Sequence, residues 1–440
     1  MQQLLAFPRR SWFTVVQPFL RVPLRYPYTA AALCLLVGTA VIFSTRQWSD
    51  WDQHYLPAAA RLAQGDNIYR GGFVYPPINA WLVLPFVGLP HLANRLLWYA
   101  VSVVGLFVLV RGSWRLAGGG RLEGLPAVPR AEHAIYCLGL LCGFFYALDV
   151  LTNQQTDLVV AGLVIAGCLA LTHQQDWRSG VLFGLAAGIK CTPLLWAPYL
   201  AWRRRWVAAV LVPVVAVGVN FLPDLTHPSA TGVSRLGAWA NQYLRPMTHA
   251  RHEFGTWAAA VNFNFSLAGA SKRWLTYEPT FTNGEILGVP RPERPSAALL
   301  RAAGLGSMAL FVLVSLGCAV RARRTEPEAN SAPSVQTLEF SLVLILMLLL
   351  SPHSSKPHFC TLLLPGFCVA RAAIGGRDWR FLVLLLPALA LTTLMHKDLL
   401  GKFAYGYGMW YAGPTLVAVL LLTGCCLALL RRPKGENEVM

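Results

Sequence analysis

The sequence predicts an all-α polytopic membrane protein of about ten transmembrane helices, with short interfacial or re-entrant helices in its outer loops. Three observations carry this. Of 440 residues, 55% are hydrophobic and only 13% charged, and the mean hydropathy is +0.48, well above ordinary soluble usage. The apolar residues come in runs long enough to cross a hydrocarbon layer, which takes ~20 residues, with ~17 as a working minimum. The basic residues punctuate those runs and do not gather on one soluble domain. The net charge of +17 and isoelectric point near 9.8 therefore speak of membrane topology and not of nucleic acid.

Spans are expected near 27–44, 93–110, 134–149, 157–172, 206–221, 297–320, 335–351, 358–374, 381–396 and 413–430. An even number puts both termini on one face. The positive-inside bias makes that face cytoplasmic, because the basic segment 1–26, Arg111 to Arg130, Arg178, Arg203 to Arg205, Arg321 to Arg324, Arg371 to Arg380 and the tail 431–440 all fall there. No small-residue cleavage signature follows the first apolar run, so it reads as a retained span within a single integral domain, 1–440. The ten cysteines show no metal-ligand spacing, and most sit inside apolar runs, where a thiol acts as a small hydrophobe.

Two apolar segments fit less simply. Residues 73–89 are broken by Pro76, Pro77 and Pro85 and read as an interfacial or re-entrant piece. Residues 179–202 are flanked by basic residues and carry Lys190 and Pro193. Irregular backbone at membrane depth is tolerated only where protein or a wet cavity covers it, so a broken hairpin with Lys190 at its tip is expected. A simple span with a miscounted neighbour is the other reading.

The opposite face collects the loops 45–92, 150–156, 222–296, 352–357 and 397–412. Nearly every unusual polar cluster lies there: Asp50, Asp52 and His54; Gln154, Gln155 and Asp157; His249, Arg251, His252 and Glu253; His353, Lys356 and His358; His396 and Lys397. A transporter places its ionisable groups near the midplane. Here they crowd one face, which points to chemistry at a membrane surface. In the first loop, Ser49 and Asp52 fit a capping box, and "PAAARLAQG" reads as a short helix stopped by Gly65, with Pro57 able to kink a longer helix begun at Ser49. Asp50 and Asp52, two positions apart on a helix, point to nearly opposite sides.

This loop resembles the first outer loop of glycosyltransferase family 87: an Asp, an aromatic, a Tyr five residues on (Tyr55), an Ala-rich helix, a Gly, then the Tyr/Pro motif "VYPP" with Tyr75. Further segments are similar in order. "QQTDLVVAGL" (154–163) resembles the family's Gly-Gln-x-Asn, with Gln154 for the Gly and Asp157 for the Asn. "AGIKCTP" (187–193) resembles its Lys-x-x-Pro. "NFSLAGASKR" (264–273) matches Asn-x-Ser-Leu with a following Gly and Arg, and "SPHSSKPHFCTLLLP" (351–365) its Ser-Pro, His and apolar run, with His358 at the His.

The resemblance implies a GT-C fold, a polyprenyl-phosphate sugar donor, typically of mannose, a lipid or glycan acceptor, inversion at the anomeric carbon, and neither metal nor cofactor. It places the enzyme in a plasma or inner membrane, its site on the non-cytoplasmic face. A donor with a lipid tail keeps its reactive end at the interface, since each buried CH₂ is worth ~0.8 kcal/mol. Transfer passes through an oxocarbenium-like state, and phosphate leaves without an acid to protonate it, so one base suffices.

Asp50 is the candidate base; a helix-start acid is the plainer reading. For substrate binding the candidates are Lys190, His358, Tyr55, Gln155, Asp157, Asn264, Ser266 and Arg273, with Asp52, His54, Tyr75 and Lys356 as secondary ones. Lys190 has an alternative as a structural partner of Asp157, His358 as an interfacial residue, and Gln155 and Asp157 as caps. Trp239, Trp257 and Trp274 suit sugar stacking or the interface equally, and Asn264-Phe265-Ser266 is formally a glycosylation sequon. Two other functions fit the same pattern: a lipid-linked sugar transporter or flippase, and a GT-C-like binding protein without catalysis.

Overall fold

The computed structural model describes residues 26–46, 49–123, 128–230, 232–245, 264–293, 295–323, 333–394 and 397–431. His249, Arg251, His252, Glu253, Trp257 and His396 lie outside them.

Each expected span coincides with a helix: α1 (Pro27–Thr45), α4 (His91–Leu116), α5 (Arg130–Asn153), α6 (Asp157–Thr172), α9 (Trp206–Val219), α13 (Ala297–Arg323), α14 (Val335–Leu349), α15 (Leu363–Ile374, entered by a 3₁₀ segment Lys356–Leu362), α16 (Trp379–Leu394) and α18 (Gly413–Leu430). Among the described residues, seven helical stretches are long and apolar enough to cross a membrane, among them Trp206–Thr226 and Lys356–Ile374, while α6, α14 and α16, at 16, 15 and 16 residues, are shorter. The protein is an integral, multi-pass membrane protein.

Between the spans lie α2 (Leu56–Ala63), α3 (Ile78–Val83), α7 (Asp176–Ile189), α8 (Trp196–Trp202), α10 (Leu222–Thr226), α11 (Arg235–Trp239), α12 (Leu267–Thr276) and α17 (Lys397–Trp410), the last broken at Gly401, where φ is 71° and ψ 166°. Lipid tails are as apolar as leucine, so helices in a bilayer are held by close packing more than by water exclusion. Glycines supply the closeness. A Cβ at Gly105 of α4 would lie 2.5 Å from the Leu158 carbonyl oxygen at the start of α6, and one at Gly139 of α5 would lie 2.8 Å from the Cα of Phe367 in α15.

The segment 179–202 forms the expected broken hairpin. Phe183 of α7 stacks on Trp196 of α8 at 4.2 Å, and Arg205 reaches back to Asp176 at 3.3 Å, so the two ends meet and Lys190, in extended backbone after α7, sits at the tip. Residues 73–89 do not span: α3 has six residues and a three-residue 3₁₀ turn follows. Asn79 of α3 donates to the Ile189 carbonyl at 2.8 Å and anchors this piece beside the hairpin tip.

One element departs from the all-helical expectation. Residues Tyr277–Thr282 (β1) and Glu285–Pro290 (β2) pair antiparallel in the long outer loop, Thr282 opposite Glu285. The turn is Asn283-Gly284, both at positive φ (53° and 79°), the geometry that joins strands with matching twist. The Asn-Gly dipeptide is the sequence mark of such a turn.

Candidate functional site

The sequence just after α1 begins with a helical turn of unusual pitch. Residues Trp51–Tyr55 form a π-turn that runs into α2, with the Leu56 N–H bonded to the Trp51 carbonyl. Pro57 offers no N–H to the preceding turn and crowds it, and one wider turn accommodates the ring. Gly65, at φ 75°, ends the helix region as expected.

This turn separates the two acids. Asp52 faces structure: its Oδ2 accepts from Ser49 Oγ at 2.8 Å and from the buried guanidinium of Arg95 on α4, and Ser49 Oγ accepts in turn from the Asp52 N–H at 3.3 Å. Asp50 faces a cavity, where its Oδ2 accepts a hydrogen bond from the Gln155 side chain.

The cavity measures about 1560 Å³, above the ~300–1,000 Å³ of ordinary small-molecule sites. Polar groups from distant parts of the chain converge on it: Asp50, His54, Tyr75, Asp149, Gln155, Lys190, His353, Lys356 and His358. Leu194, Leu195, Leu346, Met347 and Leu350 give it an apolar side. Such a mixed lining suits an amphipathic ligand.

Lys190 sits in a full set of contacts. Its Nζ donates to both Asp157 oxygens at 2.7 Å, lies 2.9 Å from His358 Nε2 and rides over the Tyr75 ring at 5.5 Å. Asp157 opens α6 and is buried, and His358 Nε2 is also 3.6 Å from it. The pairing with Asp157, one of the two readings of Lys190, is thus present, and it leaves Lys190 at the cavity surface. Tyr75 stacks on the buried Tyr55 at 5.0 Å, and Tyr55 Oη is 3.4 Å from Thr156 Oγ1. Burial raises both phenols above their ordinary pKa, and the Lys190 ammonium opposes the shift at Tyr75.

Gln154 and Gln155 follow α5 at its tight end. Gln154 is left-handed (φ 56°), a conformation that glycine adopts without strain. This explains why Gly stands there in the resembling motif. Its side chain supplies compensation, donating to the Phe43 carbonyl at 2.6 Å, with its Oε1 2.8 Å from Ser49 Oγ, whose one proton it shares with Asp52. The turn aims Gln155 at Asp50.

Tyr55, Asp157 and Asp52 do not line the cavity themselves and stand behind it against Tyr75, Lys190 and Arg95, and a further three candidates, Asn264, Ser266 and Arg273, are not brought to it either. Asn264 is buried, donates to the Pro352 carbonyl at 2.9 Å and accepts at Oδ1 from the N–H groups of Ser266 and Ser354, each at 3.1 Å. Ser266 caps α12, accepting from the Gly269 N–H at 3.1 Å. Arg273 donates to the Trp410 and Asn264 carbonyls, both at 2.8 Å, and its burial depresses the guanidinium pKa to about 10. The three brace the loop 351–355 against α12 from behind the wall, so their contribution is positional. A buried, engaged Asn264 amide is no glycan acceptor. Trp239 lines the cavity with its Nε1 committed to the Val74 carbonyl at 3.0 Å, while Trp274 donates to the Trp410 carbonyl at 3.3 Å.

Sequence reasoning missed Asp149, whose Oδ1 is 4.0 Å from Lys356 Nζ, and the whole second wall: the turn Asn283–Glu285, Lys402 and Tyr405. Asp149 sits a turn before the end of a span, with nothing in the pattern to mark it. Lys402 stands alone in an apolar stretch, a signal that was available.

A polytopic helical bundle with a large, mostly apolar cavity into which a few charged groups converge defines the class. The model of glycosyltransferase family 87 matches residues 73–352, more than half of the chain, and the chain belongs to that family. It is 31% identical over 214 residues to a polyprenol-phosphate-mannose-dependent alpha-(1-2)-phosphatidylinositol pentamannoside mannosyltransferase of Mycobacterium tuberculosis, covering 48% of this chain and 44% of that one. It is 23% identical over 420 residues to a polyprenol-phosphate-mannose-dependent alpha-(1-2)-phosphatidylinositol mannoside mannosyltransferase of Mycolicibacterium smegmatis, covering 86% and 82%. The alignments to the two pentamannoside mannosyltransferases, of M. tuberculosis and M. smegmatis, span about half the length of each. Among solved structures, ArnT from Cupriavidus metallidurans bound to undecaprenyl phosphate is similar at a TM-score of 0.42 and 13% identity, over 92% of this chain and 77% of that one.

Proposed function

We propose that this protein transfers a hexose, mannose in the first instance, from a polyprenyl-phosphate donor to a lipid or glycan acceptor. The observation that carries the reading is the convergence of Asp50, Lys190 and His358, 308 residues apart at the extremes (358 − 50), on one cavity with an apolar side. In the proposed step the acceptor hydroxyl attacks the anomeric carbon as its proton passes to the Asp50 carboxylate. The bond from that carbon to the phosphate oxygen breaks, its electron pair leaves with the phosphate, and the configuration inverts.

Gln155 holds one Asp50 oxygen and leaves the other for the acceptor. Cations near the departing phosphate stabilise the charge that develops there. Lys190, sharing its ammonium with Asp157, and His358 stand where a phosphate entering from the apolar side would meet them.

The cavity opens on the non-cytoplasmic side in this reading. Its support is the charge at the other end of the bundle, where Arg371 pairs with Glu132 at 2.8 Å, Arg205 with Asp176, and Arg431 with the Gly376 carbonyl at 2.8 Å.

The test is incubation of purified protein with labelled polyprenyl-phosphate mannose and native membrane extract. Labelled product is expected from the wild type, and Asp50→Asn should lower its rate by ~10²–10⁴ with folding intact. Full activity of that variant removes Asp50 from its role. Movement of donor across a reconstituted bilayer without sugar transfer would favour the flippase instead.

A further inference from the structure

The cavity has an order along its length, set by the non-helical segment 72–76. At one end Gly72, at φ 83°, passes beside His54: a Cβ there would lie 3.8 Å from His54 Cε1. The next two carbonyls are each claimed by an aromatic side chain, Phe73 by Tyr243 Oη at 2.9 Å and Val74 by Trp239 Nε1 at 3.0 Å. At the other end Lys190 Nζ rides over the Tyr75 ring at 5.5 Å. Three residues of backbone, at most ~10 Å, join the two ends, so one bound pair of substrates can reach both. Asp50 belongs between them. It precedes His54 by four residues of helical backbone, a spacing that brings Cβ atoms within ~5–6 Å on one face. Together with burial, its charge raises the Tyr75 pKa.

His54 is the group at this end that the transfer step leaves unused. It lines the cavity, and among the described residues its imidazole has no hydrogen-bond partner, although Nδ1 is buried. With Nδ1 buried and Cε1 turned to Gly72, the edge left for the cavity is the one that carries Nε2. A buried polar atom without a partner costs ~1–3 kcal/mol, and such a cost marks a position held for something other than stability. The aromatic neighbours do not compete for a ligand's hydrogen bonds. The Tyr243 hydroxyl and the Trp239 N–H are tied back to residues 73 and 74, and both rings line the cavity. This end therefore offers aromatic surface, one imidazole nitrogen and the free oxygen of Asp50.

We propose that His54 is the specificity-determining residue for the acceptor: its imidazole hydrogen-bonds the hydroxyl next to the one that Asp50 deprotonates, while the acceptor ring rests against Trp239 and Tyr243. This inference rests on the transferase reading. It sets the acceptor at the His54 end of residues 72–76 and the donor phosphate at the Lys190 end. An acceptor whose attacking hydroxyl has no neighbour leaves the imidazole unpaired, and a site built to bond a hydroxyl discriminates against its absence.

The test uses the full chain in detergent micelles, with labelled polyprenyl-phosphate mannose as donor and native membrane extract as the source of acceptor, each varied at saturation of the other. His54→Phe keeps the outline of the ring and removes both nitrogens, so acceptor KM should rise about tenfold while donor KM stays within about twofold. His54→Gln, whose amide reaches the Nε2 position, should stay within about threefold of wild type in acceptor KM, and His54→Asn, whose amide stops at the Nδ1 position, should match His54→Phe. The Gln and Asn pair decides the matter if the Phe variant does not fold. An unchanged acceptor KM, a rise in donor KM in its place, or equal acceptor KM values for the Gln and Asn variants overturns the assignment. Absence of transfer by the wild type sinks the transferase reading and the acceptor role with it, whereas an active enzyme indifferent to residue 54 removes His54 alone.

Discussion

The Lys190–Asp157 pair offers the sharpest quantitative test of how the site is held. Its side chains are 10% and 6% exposed, and the ammonium meets both carboxylate oxygens at 2.7 Å. Two unit charges ~4 Å apart at an effective dielectric of ~20 attract by ~4 kcal/mol. Desolvation offsets much of that, yet removing one partner leaves the other charged and buried, at a cost of ~3–5 kcal/mol. The two single variants should not be equal. Asp157→Asn strands the ammonium with a neutral amide and should lose the full ~3–5 kcal/mol. Lys190→Gln leaves Asp157 with His358 at 3.6 Å, which can take a proton and become its new counterion, so the loss should be smaller. The double variant buries neither charge and should recover to within ~1–2 kcal/mol of wild type. Reversible unfolding in mixed micelles measures all four proteins. If the double variant loses the sum of the two singles, the pair is not coupled and the geometry argued for the hairpin tip is wrong.

Three further outcomes follow from the same contacts. Asp52→Asn, which keeps the Ser49 bonds and weakens the Arg95 ion pair, should cost stability and leave most of the transfer rate, in contrast to Asp50→Asn; equal loss of rate in both would erase the distinction drawn at the π-turn. Gln154→Ala keeps the left-handed strain and loses two side-chain hydrogen bonds, so it should be less stable than Gln154→Gly by ~1 kcal/mol, and the reverse order in thermal melts would refute the strain at this position. Gly105→Ala, meeting backbone at 2.5 Å, should cost ~1–3 kcal/mol, while Gly306→Ala, with nothing within 4 Å, should be neutral or stabilising by up to ~1 kcal/mol; comparable melts for the two would show that α4 and α6 are not in close contact.

Much of the molecule was legible before any coordinates. The positions of ten apolar helices were, seven stretches among the described residues being long enough to cross, because apolar length is a direct physical demand of the bilayer. The broken hairpin was, because a lysine and a proline inside an apolar run admit few other solutions. Less legible were the partners. That Asn264, Ser266 and Arg273 brace a loop from behind the cavity, and that Lys190 already holds Asp157, depends on which side of a turn each side chain takes, and spacing along the chain does not encode that for irregular segments.

The sequence by itself determined that this chain lives in a membrane, with its polar residues sorted to one end, since the cost of exposing charge or unpaired backbone to hydrocarbon is paid residue by residue. Only the tertiary structure decided which of those residues share a cavity, that Asp50 and not Asp52 lines it, and that a hairpin and α17 close its second side. Those outcomes rest on helix packing at glycine contacts and on hydrogen bonds between segments a hundred residues apart, as between Gln155 and Asp50. Such contacts are properties of pairs, and a linear pattern records only their separate members.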